Sequence, residues 1–181
     1  MAWLLVLSLL GCGTTEPPAA PAPNKTAPAK AKQKAKTKQK AKAPAPVEMV
    51  PATIYLVDTK AQKEGKEPVL VAVERQVGKL APEKNAVWNV FKGPTEEEAA
   101  KGLTSLKSGA QGFEAFTLAD GVATLKLRGG CSSEGGALTV YDQLHKTLTG
   151  FDTVEHVKLL GPSDAKAPEG KVDHRPDCLQ P

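Results

Sequence analysis

The chain has 181 residues, 40% of them hydrophobic but only 4% aromatic, and a formal charge of +4. That charge is unevenly placed: residues 13–48 carry eight lysines, Lys25 to Lys42, against Glu16 and Glu48, which leaves 16 basic and 18 acidic residues elsewhere. A basic segment on a mildly acidic remainder excludes a uniformly basic nucleic-acid-binding domain, and about 130 residues outside the leader and linker allow one modest core of Val, Leu, Ile and Ala.

Met1 to Leu10 is almost wholly apolar and stops at Gly11-Cys12. This is about half of the ~20 residues that a membrane-spanning helix needs, and it suits the apolar region of a cleaved export signal. Leu9-Leu10-Gly11-Cys12 resembles the bacterial lipobox. The resemblance implies cleavage before Cys12, lipid on its thiol, and a protein anchored in the cell membrane or outer membrane. Its domain then faces the periplasm or another extracytoplasmic space.

Residues 13–48 contain no Leu, Ile, Phe, Trp or Tyr. Such a segment buries too little to offset its ordering entropy and is expected to be a disordered linker. Its prolines favour extended polyproline II conformations, and lysine at every second position from Lys30 to Lys42 repels and stretches it. Beyond a solvated spacer, Lys30 to Lys42 suits contact with anionic wall polymer or lipid head groups. It has no arginine and no aromatic residue to stack on bases, so nucleic acid is not the expected partner.

The predicted domain occupies residues 49–160. Thr53 to Val57 reads as a first strand ending at Asp58, with a polar loop from Thr59 to Glu67. Val69 to Val77 alternates as a second strand. Pro82 opens a helix whose Ala86, Val87, Val90 and Phe91 recur at helical spacing, with Trp88 at the edge of that stripe. Gly93 suits an αL cap and Pro94 ends the helix. Thr95 with Glu98 forms a capping box, and Glu96, Glu97 and Glu98 complement the dipole of a short helix that ends at Gly102.

After a loop at Gly109 to Gly112, Asp120-Gly121 between Phe113–Leu118 and Val122–Leu127 predicts a hairpin. Its second strand would bury Ala123, Leu125 and Leu127. Gly129 to Gly136 is a turn-rich loop. A last helix carries Leu138, Tyr141, Leu144 and Leu148 and stops at Gly150, and Val154 to Leu160 is a last strand. The order predicts an α+β domain of two layers, a mixed β-sheet with helices on one face.

These pieces together resemble the GerMN domain, a small module of bacterial envelope and sporulation proteins. They are Ile54-Tyr55-Leu56, Val71 to Arg75, Gly93-Pro94-Thr95-Glu96-Glu97 with Gly102, Asp120 to Leu125, and Leu144 to Phe151, over residues 53–160. The resemblance implies an exported lipoprotein without catalytic residues or cofactor, working through an envelope protein partner in protein-protein interaction or assembly. The alternative is a lipoprotein that binds peptidoglycan, another wall polymer or a small ligand.

With Cys12 lipidated, Cys131 and Cys178 remain, and an oxidising envelope predicts a disulfide between them. It would tether the irregular tail, residues 161–181. A metal site at Asp173, His174, Asp177 and Cys178 is the weaker reading, since no CxxC or HxxxH pair supports it. A nucleophilic Cys131 lacks a histidine at identifiable spacing. His145 reads as surface or boundary, and His156 as solvent-facing.

Overall fold

The computed structural model describes residues 48–181. The leader with Cys12 and linker residues 13–47, with the lysines Lys30 to Lys42, lie outside the described residues.

The fold is α+β, with the strands divided between two small sheets. In chain order the elements are β1 (Met49–Asp58), α1 (Thr59–Glu64), β2 (Leu70–Gly78), α2 (Pro82–Lys92), α3 (Glu96–Ala100) and β3 (Leu103–Thr104). β4 (Ala110–Ala119), β5 (Val122–Gly129), α4 (Val140–Leu148), β6 (His156–Leu160) and a 3-10 turn (Asp177–Leu179) follow. The first sheet is antiparallel, ordered β2-β1-β3. The second is mixed, ordered β4-β5-β6, with β5 and β6 parallel.

One core joins both sheets. Ile54 of β1, Val87, Val90 and Phe91 of α2, Leu125 and Leu127 of β5, Leu144 and Leu148 of α4, and Leu159 of β6 pack together. Ala123, Leu125 and Leu127 are the buried face of β5, as their alternation predicts. Asp120 and Gly121 both have positive φ, 51° and 79°, and Ala119 pairs with Val122. This is the two-residue turn whose twist suits a hairpin.

Four local features differ from the sequence reading. β1 begins at Met49 rather than Thr53. Pro51 is tolerated because β3 reaches only Val57 and Asp58, so β1 has a strand on one side alone at Pro51. The polar run after Asp58 is the helix α1, capped by Asp58, whose carboxylate accepts from the N–H groups of Lys60 and Ala61. α4 begins at Val140, not Leu138, because Thr139 and Asp142 form a capping box.

The fourth difference is the tail. It is irregular, yet His174 bridges Lys158 alongside β6, with hydrogen bonds between the His174 and Val157 backbones and between Leu159 and His174. Leu179 is fully buried in the core. The Lys158 ammonium, buried, donates to the carbonyls of Pro168 and Gly170 and organises the intervening turn. No helix among the described residues is long and apolar enough to cross a membrane.

Candidate interaction site

The Lys92 to Leu103 turn, the most distinctive local signal in the sequence, is a latch. Arg75 reaches from β2 and pairs with Glu98, the two side chains only 12% and 14% exposed. The Arg75 guanidinium also donates to the Gly93 carbonyl at 3.0 Å and the Asn89 carbonyl at 3.4 Å. Glu98 meanwhile accepts from the Thr95 N–H at 2.7 Å, and the Thr95 hydroxyl accepts from the Glu98 N–H. One carboxylate therefore closes the capping box and neutralises the cation that clamps the end of α2. Burial alone would raise the Glu98 carboxyl, but the Thr95 N–H and Arg75 outweigh it and hold it below the usual range.

Gly93 has φ 85° and ψ −168°, an extended left-handed conformation rather than the αL cap the sequence suggests. Only glycine adopts it without strain. Gly102, φ 82°, accepts from both the N–H and hydroxyl of Thr59, so it ties the end of α3 to the start of α1. Pro94 is half-buried, and Glu96 and Glu97 are exposed at the start of α3. The motif Gly93, Pro94, Thr95, Glu96, Glu97 and Gly102 thus belongs to an element junction.

A groove lies elsewhere, where five segments meet. Its two lobes, ≈ 430 and ≈ 420 Å³, share Gln62 of α1 and Leu138. Val69, Leu70 and Lys146 line one lobe; Lys107, Ser133 and Glu134 line the other. The walls are stitched from beneath. Gln143, fully buried on α4, donates to the Tyr55 carbonyl at 2.7 Å and to the Ser105 hydroxyl at 3.2 Å, and accepts from the Leu106 N–H at 2.9 Å. Thr147, also buried, accepts from the Tyr55 N–H at 3.1 Å. These side chains satisfy the edge of β1 where no strand covers it.

The opposite wall is held covalently. Cys131 and Cys178 form a disulfide with Cα atoms 5.6 Å apart. The Ser133 N–H donates to the Cys178 carbonyl and the Ser132 N–H to the Ser108 carbonyl, both at 2.9 Å. The Ser108 hydroxyl accepts from the Val140 N–H. The groove lining combines serine hydroxyls, Lys107 and Lys146, Glu67 and Glu134, and the apolar Val69, Leu70 and Leu138. Its lining offers hydrogen-bonding groups and apolar contact to a ligand.

His145 and His156 are brought together at the tail by Asp173, His145 Nε2 lying 3.1 Å and His156 Nδ1 3.8 Å from its oxygens. Burial would raise the Asp173 carboxyl, but the Val157 N–H and the two imidazoles hold it low. Burial, with Asp173 nearby, pushes the Tyr141 phenol up. Arg175 pairs with Asp142 and stacks over the Tyr141 ring. Sequence reading missed this cluster because its members are far apart in the chain. Among the described residues no group of three or more His, Cys, Asp and Glu side chains is placed to hold a metal. Gln143 was legible in principle: with Thr147 it places a polar side chain beside the apolar Val140, Leu144 and Leu148 on the inward face of α4.

The family model described as Germane, sporulation and spore germination, matches residues 53–161. Among solved structures, the tandem GerMN domains of the sporulation protein GerM from Bacillus subtilis are similar, with 18% identity and a TM-score of 0.49. The alignment covers 78% of this chain and 46% of that chain. Among curated proteins no relative matches.

Proposed function

The chain belongs to the Germane family of sporulation and spore germination, and on that premise we propose that it is a lipid-anchored, non-catalytic envelope protein that presents its domain to a protein partner. The observation that carries this reading is the groove: five segments, braced by Gln143 and by the disulfide, make a fixed recognition surface. A rigid frame lowers the ordering cost of association. Ser132, Ser133 and Glu134 on one wall and Gln62, Val69 and Leu70 on the other suit an extended peptide segment with alternating polar and apolar side chains. Cys12 supplies the anchor, and the linker sets the distance over which the domain searches.

Detergent phase partition of the native-length protein from its own cells tests the anchor. Wild-type protein is expected in the detergent phase and the Cys12→Ser variant, its leader uncleaved, without the lipid mass increment. An unmodified Cys12 in the mature wild-type chain would refute the anchor. For the groove, Gln62→Arg with Leu138→Glu is expected to abolish co-purification of envelope proteins while leaving the melting temperature near wild type. Undiminished co-purification would refute the assignment.

A further inference from the structure

A second surface lies at the other end of β2. The groove is lined by Val69 and Leu70, whereas Val77 and Gly78 line a cleft of ≈ 360 Å³ with Met49, Asn85, Trp88 and Lys92. Eight residue steps at about 3.3 Å each separate these ends by about 26 Å.

This second surface exposes large apolar groups. Leu80 is 86% exposed, Met49 52% and Trp88 40%. Leu80 sits on a turn that is held in place: Asn85 donates to the carbonyls of Gly78 at 2.9 Å and Leu80 at 2.8 Å. Ala81 beside it has φ 54°, a conformation that a non-glycine residue adopts at a cost. Trp88 leans one side against Phe113, with ring centroids 4.5 Å apart, and leaves the other to solvent.

Cations surround these groups. Lys84, Trp88 and Lys92 recur every fourth residue on α2, and all three are exposed. Arg128 and Trp88 both come within 3.6 Å of the position a Cβ on Gly112 would take. Among the described residues Lys84, Lys92 and Arg128 have no ion-pair partner, while Lys79 pairs with Glu48 at 2.8 Å. The acid on the same helix, Glu83, is buried and accepts from the Thr153 hydroxyl.

We propose that Met49, Leu80 and Trp88, with Lys84, Lys92 and Arg128 around them, dock the domain on an anionic lipid surface. Three observations favour a bilayer over a protein. The patch joins aliphatic tips and a tryptophan to a rim of cations, the composition of an interfacial membrane contact. The rim complements a negative surface. The chain also enters the domain here, since Met49 begins β1 and the preceding 48 residues include Cys12. This inference deepens the anchored reading, and docking would aim the groove at the far end of β2 away from the bilayer.

The test uses the lipidated chain that begins at Cys12, in which Trp88 is the sole tryptophan because Trp3 leaves with the leader. The lipid and lysine tract bring the chain to vesicles in any case, so Trp88 fluorescence reads docking of the patch separately from attachment. On vesicles of phosphatidylglycerol in phosphatidylcholine, Trp88 emission is expected to move to the blue and to be quenched by brominated acyl chains. On pure phosphatidylcholine it stays as in buffer. Lys84→Gln and Lys92→Gln each reduce the docked fraction about five-fold. Leu80→Ser also reduces it, without unfolding, because Leu80 is exposed. Co-sedimentation with unmoved Trp88 emission would overturn the proposal and leave the anchor reading standing. A blue shift that grows with protein concentration in the absence of lipid would overturn it in favour of a second copy of the chain.

Discussion

Glu98 does two jobs with one carboxylate, and the two are separable. Glutamine also serves as the third residue of a capping box, so Glu98→Gln keeps the cap and removes the charge that faces Arg75. A buried cation stripped of its partner costs about 3 kcal/mol, and urea unfolding is expected to show a loss of that size. Adding Arg75→Met should recover part of it; a double variant no better than Glu98→Gln would contradict the latch. The pH dependence follows from the same group. Glu98 and Asp173 are both held low in the folded state. Their contribution is therefore fully present above the unfolded values near pH 4 and is lost as pH falls through the lowered folded values. Melting temperature should be flat near neutrality and fall below about pH 4, less steeply in Glu98→Gln.

Gly93 gives a sharper residue-level test. An added Cβ there meets nothing within 4 Å, so any cost of Gly93→Ala is backbone strain, about 1–3 kcal/mol. Asparagine relieves strain at an αL cap, but ψ −168° is not αL, so Gly93→Asn should be no better than Gly93→Ala in thermal melts. Recovery by asparagine would mean that α2 ends in the αL cap suggested by its sequence. That the helix ends at Gly93 was legible from Gly-Pro; the conformation was not, because Arg75, eighteen positions away, is what pulls the Gly93 carbonyl round.

Among the elements, α4 works through polar side chains as much as apolar ones. Gln143→Leu fits the volume roughly but leaves the Tyr55 carbonyl and the Leu106 N–H without their partner. Each buried orphan costs about 1–3 kcal/mol, and hydrogen exchange should speed first at Leu106 and along β1. Uniform, unchanged protection would contradict the bracing role. The disulfide closes a separation of 47 residues, so removing it by Cys131→Ser with Cys178→Ser should cost about 2–4 kcal/mol. The loss should be seen as a lower melting temperature and proteolysis beginning in the tail. The hairpin at Asp120-Gly121, the amphipathic α2 and the buried face of β5 were legible because local chemistry sets them. The split into two sheets, the 3-10 turn that delivers Leu179 and the meeting of His145 with Asp173 were not, because each depends on contacts distant in sequence. α1 was missed although Asp58 and Gly65 bracket it as N-cap and αL C-cap.

At the scale of the whole molecule, the groove and the apolar, cationic patch occupy opposite ends of β2, and the stretch read as a linker enters beside the patch. In the function proposed above, this arrangement separates attachment from recognition in one small domain. Photo-crosslinking in intact cells tests it most directly, with a photoreactive residue placed at Gln62 or Glu134 in the groove, or at Lys166 in the tail turn, in the native-length protein. The account predicts a discrete envelope protein captured from Gln62 and Glu134 and none from Lys166. Capture of wall fragments alone from the groove, or the same proteins from all three positions, would contradict it.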